Sequence, residues 1–75
     1  MPHYCLCSVE DEPPRRLWVL ADSEAHARRL VSFNIEDAAD AANIDKFECH
    51  VDATHQPPYG AIYREGGEVT SIAHR

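Results

Sequence analysis

Seventy-five residues make one small domain and leave no room for a second core. Thirteen carboxylates against seven Lys and Arg give a formal net charge of −6, which argues against nucleic-acid binding by phosphate neutralisation, a chemistry that needs clustered cations. The three cysteines, an odd number, exclude a complete intramolecular disulfide framework, and no run is long and apolar enough for a membrane span, so the expectation is a soluble cytoplasmic protein.

His3 to Val9 reads as the first strand. Tyr4, Leu6 and Ser8 fall on one side and His3, Cys5, Cys7 and Val9 on the other, and alternation alone leaves open which side is buried. Glu10-Asp11-Glu12-Pro13-Pro14 interrupts it as a hairpin loop, because two prolines remove backbone donors and three carboxylates require water. Leu17 to Ala21 is the second strand, apolar at nearly every position and hence central, covered on part of both faces. Trp18, the largest side chain, is expected to anchor the core, and its indole N–H needs a partner if buried. Ser23 stands at an N-cap, with Glu24 favoured in the first turn of the helix that follows. Ala27, Leu30, Val31 and Phe33 form the apolar face of this helix, with His26 at its boundary, while Arg28, Arg29 and Ser32 point to solvent.

Asn34 ends that helix and can cap another. Ile35, Ala38, Ala39 and Ala42 make a second apolar stripe, with Glu36, Asp37 and Asp40 turned away, which favours a second short helix over a kinked continuation. Lys46 to Asp52 alternates as a half-buried strand, with Phe47, Cys49 and Val51 inward and Glu48, His50 and Asp52 outward. A loop closed by Pro57-Pro58 follows. Ala61 to Tyr63 and Val69 to Ile72 then flank Glu65-Gly66-Gly67-Glu68, whose glycines supply the positive φ of a hairpin turn. The order ββααβββ specifies an α+β fold: a single two-layer domain over residues 1–75, with an antiparallel sheet of four or five strands and both helices on one face.

Thiols and imidazoles raise two chemistries. Cys5, Cys7 and Cys49 with neighbouring histidines have the donor types for zinc, or for a metal- or thiol-dependent sensor. The spacing favours buried thiols instead: Cys5-x-Cys7 is not a Cys-x-x-Cys turn, and adjacent Cys49 and His50 point to opposite faces of a strand. No metal or cofactor is therefore expected. Catalysis is not expected either, because Cys49 lies on an inner face in an acidic segment and no nucleophile or phosphate-loop motif is present. The acidic distribution carries more information. Glu36, Asp37, Asp40, Asp45, Glu48 and Asp52 stand against a single lysine between Asn34 and Asp52, either a solvated face or a surface for a basic protein or nucleoprotein partner. Tyr4, Tyr59 and Tyr63 would supply aromatic anchors where exposed. An exposed strand edge would also allow a homodimer.

The layout of Leu17–Ala21 running into Asp22-Ser23-Glu24-Ala25, the helix with Arg28-Arg29-Leu30, the strand around Phe47–Val51 and the hairpin Ala61-Ile62-Tyr63-Arg64-Glu65-Gly66 resembles small type I anti-CRISPR proteins. The alanine-rich second segment and the Pro57-Pro58 loop depart from the simplest form of that layout. The resemblance implies a non-enzymatic phage or mobile-element inhibitor that engages a CRISPR surveillance complex and blocks target-DNA binding or nuclease recruitment, and it assigns no individual binding residue.

Overall fold

The computed structural model describes residues 1–9, 13–34, 42–66 and 68–71. The strands are β1 (His3–Cys7), β2 (Arg16–Leu20), β3 (Glu48–Val51), β4 (Ala61–Arg64) and β5 (Glu68–Ser71). The helix α1 (Glu24–Asn34) follows β2, and a 3-10 turn (Ile44–Lys46) precedes β3. All five strands join one antiparallel sheet in the order β3-β1-β2-β4-β5. The described residues are thus α+β, with a sheet, the helix α1 and a 3-10 turn. The second helix expected over Ile35–Ala42 lies, apart from Ala42, outside the described residues, as do the Glu10–Glu12 loop, Gly67 and the segment after Ser71. No described helix is long and apolar enough to cross a membrane.

Hairpin β1–β2 sets the register of the whole sheet. Leu6 pairs with Leu17 and Tyr4 with Val19, so these side chains share the face that α1 covers; Cys5 pairs with Trp18 on the opposite face. On the helix face, Leu6, Leu17, Val19 and Ile62 meet Ala27 and Val31 of α1, with Ile44 and Phe47 closing one end. Burial of β1 is therefore two-sided: Cys5 and Leu6 are both inaccessible. Trp18 is buried as expected, but on the face away from the helix, where it belongs to a second, smaller cluster.

Capping accounts for where α1 begins. The N–H of His26 donates to Ser23 Oγ at 3.1 Å, and the N–H of Ala27 donates to the Ser23 carbonyl at 2.9 Å. His26 Nδ1 in turn accepts from the Asp22 N–H at 3.1 Å, at the entry to the helix. Three positions depart from the sequence expectation. Phe33 is 73% exposed, because it lies two residues past Val31 and a 3.6-residue turn carries it off the face that meets the sheet. Arg28 does not point to solvent: its guanidinium bonds Glu24 Oε1 at 2.9 Å and the Ile44 carbonyl at 2.6 Å. Val51 is also exposed rather than inward, since it ends an edge strand. Gly66 takes φ 105° in the β4–β5 turn, as its position requires, and Gly60 takes φ 91° just before β4.

Candidate functional site

The sheet face opposite α1 is covered by the 52–60 loop rather than by a helix. The Asp52 N–H donates to the His3 carbonyl at 2.9 Å, and His3 Nε2 bonds the Pro57 carbonyl at 2.8 Å, so β1 holds this loop at its first residue and again at Pro57. Strand pairing sets out a row of side chains beneath it: His50 opposite Cys5, Cys5 opposite Trp18, Trp18 opposite Tyr63. His55 drops from the loop onto this row. Its ring stacks on Tyr63 with centroids 4.3 Å apart and meets Trp18 edge-on at 4.4 Å. The Arg16 guanidinium lies 5.7 Å from the Trp18 ring and is held by Glu65, so the aromatic group has a cation at its rim.

At the β3 end of the row, Cys5, His50 and Asp52 bring a thiol, an imidazole and a carboxylate within 4.8 Å of one another. His50 Nε2 is 3.6 Å from Asp52 Oδ2. The other carboxylate oxygen, Oδ1, accepts the Thr54 N–H at 2.8 Å, an Asx turn that fixes the group's orientation. Hydrogen bonds from the Thr54 hydroxyl and backbone hold the Asp52 carboxyl below the usual range, and the nearby Trp18 indole adds to the effect. That indole N–H is itself fully buried and makes no hydrogen bond of ordinary geometry. Burial, reinforced by the Asp52 charge, pushes the Cys5 thiol up to about 11. With Cys5 1% exposed, its sulfur is not presented to a substrate, so the trio lacks the accessible thiolate of a cysteine nucleophile.

The three cysteines named in the alternative sensor reading are divided by the sheet. Cys49 pairs with Leu6 and packs against the helix-side core, whereas Cys5 and Cys7 lie on the loop-covered face. The thiols named for a sensor therefore do not meet at one point, while His50 and Asp52, both read as outward, lie beside Cys5. The carboxylates expected to bind a partner also separate. Glu36, Asp37 and Asp40 lie outside the described residues. Asp45 is exposed beside α1, where with Arg28, Arg29 and Ser32 it lines an open hollow of about 350 Å³. Glu48 is exposed on β3, opposite Cys7 in register. Asp52 is engaged with Thr54 and His50. Among the tyrosines, Tyr59 is 53% exposed, Tyr4 packs against the helix-side core and Tyr63 stacks on His55.

His3 and His55 were not singled out for these roles by the sequence, and nothing local marks them, because their partners lie across the chain. The His50-x-Asp52 spacing did hold a signal: residues two apart on a strand share a face, which is what places both beside Cys5. No protein-family model, curated protein or solved structure matches this chain.

Proposed function

We propose that the chain is a small acidic protein-binding module that docks along the β3 side of its sheet onto a basic surface. The observation that supports this reading is β3 itself, an edge strand with Glu48 and Val51 exposed and, among the described residues, no strand paired to its outer side. An edge strand offers unpaired backbone groups for pairing, and a carboxylate on it selects for cations. The carboxylates that meet the partner are Glu48 and Asp45, joined by Glu36, Asp37 and Asp40 from the segment before them. The partner is a protein whose basic groove normally holds nucleic acid, so that occlusion inhibits it; a CRISPR surveillance complex, implied by the resemblance, is such a partner.

The test is competition. A type I surveillance complex is incubated with this protein, then with labelled target DNA, and DNA binding is followed by mobility shift across a salt series. Loss of DNA binding that weakens with salt and disappears in the combined variant Glu36→Lys, Asp37→Lys, Glu48→Lys supports the reading. Undiminished DNA binding in the presence of the wild-type protein overturns it for that partner, and inhibition that survives the charge reversal overturns the assigned surface.

A further inference from the structure

We propose that Cys5, His50 and Asp52 form a three-ligand site for a divalent transition-metal ion, zinc by the chemistry of the donor set, with a fourth position open to solvent. The site does not depend on the partner reading above.

Cys5 and His50 are placed by strand pairing, and Asp52 is held by its main-chain bond to His3. Cys5 and His50 are direct partners across β1 and β3, the arrangement that brings Cβ atoms closest across a sheet, and Asp52 lies two residues past His50 on the same face. A tetrahedral ion with nitrogen and oxygen ligands about 2.0–2.1 Å away spaces those ligands roughly 3.3–3.4 Å apart. The His50 Nε2 to Asp52 Oδ2 separation of 3.6 Å is already close to that edge, and the sulfur lies within 4.8 Å of both. Closing the remainder falls to His50, whose side chain is 56% exposed and free to turn, while the buried Cys5 stays fixed.

Two features around the ligands match what a metal site requires. Asp52 Oδ1 is held by the Thr54 N–H, which leaves Oδ2 directed at the site, and ligating carboxylates are oriented in this way. The buried Trp18 N–H, on the residue opposite Cys5 in register, makes no hydrogen bond of ordinary geometry and is a donor left over on the same face of the sheet. A plain His50–Asp52 ion pair accounts for neither the thiol beside it nor the indole donor.

One thiolate, one imidazole and one carboxylate suit a borderline ion such as Zn²⁺, whereas Mg²⁺ and Ca²⁺ demand oxygen alone. On binding, the Cys5 S–H bond breaks, an S–Zn bond forms and the proton leaves to buffer; thiolate and carboxylate then balance the 2+ charge. The ion would clamp edge strand β3 to β1.

The experiment uses chelator-stripped, reduced protein titrated with Co²⁺ as a spectroscopic probe and then with Zn²⁺ by calorimetry. One equivalent of Co²⁺ giving a thiolate-to-cobalt charge-transfer band, with visible bands of a four-coordinate ion, is expected, and Zn²⁺ displaces it. His50→Ala, at an exposed position, should fold normally and weaken binding by at least about 100-fold; Asp52→Asn, which keeps the turn with Thr54, should also weaken it. Cys7→Ser should retain the band. Absence of a charge-transfer band in the wild type, wild-type affinity in His50→Ala, or loss of the band in a folded Cys7→Ser each overturns the proposal. Cys5→Ser is informative only where circular dichroism shows a native fold, and a folded Cys5→Ser that keeps the band overturns the proposal as well.

Discussion

Arg28 and Ile44 are joined across sixteen residues of chain by a 2.6 Å hydrogen bond from the guanidinium to the main-chain carbonyl. The same guanidinium takes Glu24 at one turn's spacing, so one side chain ties the first turn of α1 to the 3-10 turn that leads into β3. Its side chain is only 19% exposed, and the bond is charge-assisted.

Removing that link should cost stability. Arg28→Ala is expected to lose about 1.5–3 kcal/mol, the usual range for a hydrogen bond to a charged group, which in a domain of this size lowers Tm by several degrees or more. Arg28→Lys keeps the charge but not the fork, and should fall between. Thermal unfolding by circular dichroism checks the order; equal melting of all three proteins would show that the contact contributes nothing.

Phe33 invites the opposite expectation. Its sequence position belongs to an apolar stripe, and a buried Phe→Ala change would cost about 3–5 kcal/mol. At 73% exposure, Phe33→Ala should instead stay within about 0.5 kcal/mol of wild type in chemical denaturation.

Trp18 is a test of packing. Trp18→Phe retains an aromatic ring against His55 and Tyr63 but leaves part of the indole's buried volume empty, so its cost should fall between that of wild type and that of Trp18→Ala. Trp18→Ala should cost about 3–5 kcal/mol. Small single cores rarely supply more than that in total, so the alanine variant should be largely unfolded at room temperature. Denaturant titration of both variants provides the comparison.

Thiol chemistry should follow the two faces of the sheet. In chelator-stripped native protein at mildly alkaline pH, Cys5 should be the last thiol alkylated, because it is 1% exposed and its thiol is held protonated by burial and the Asp52 charge. Cys7 and Cys49 are partly exposed and should react first. Peptide mapping after timed iodoacetamide treatment reads the order directly, and early labelling of Cys5 would contradict the burial.

Local rules explain what the sequence revealed. The Ser23 cap, the two-sided apolar strand Leu17–Ala21 and the glycine of the last hairpin each act within a few residues, and each appears where its pattern places it. Two-sided burial of β1 was not legible, because it depends on α1 covering one face and the 52–60 loop covering the other. The same is true of the candidate site. His50 and Asp52 declare a shared face through their spacing, but Cys5 joins them only through a strand pairing that spans most of the chain. Phe33 and Arg28 mark the limit of helical periodicity: it gives an angle around an axis, while reach and the position of the 3-10 turn decide what is covered.

The strand order has a kinetic consequence. β1 and β2 are hairpin neighbours, as are β4 and β5, whereas β3 must return to β1 from the far side of α1. Closing so long a loop is entropically costly, and although the β2–β4 pairing closes one of the same length, β3 is paired on one side only among the described residues, so it should release before central β2. Amide hydrogens of β3 should accordingly exchange faster than those of β2, and the surface proposed for recognition would coincide with a strand that opens more readily than the sheet's centre.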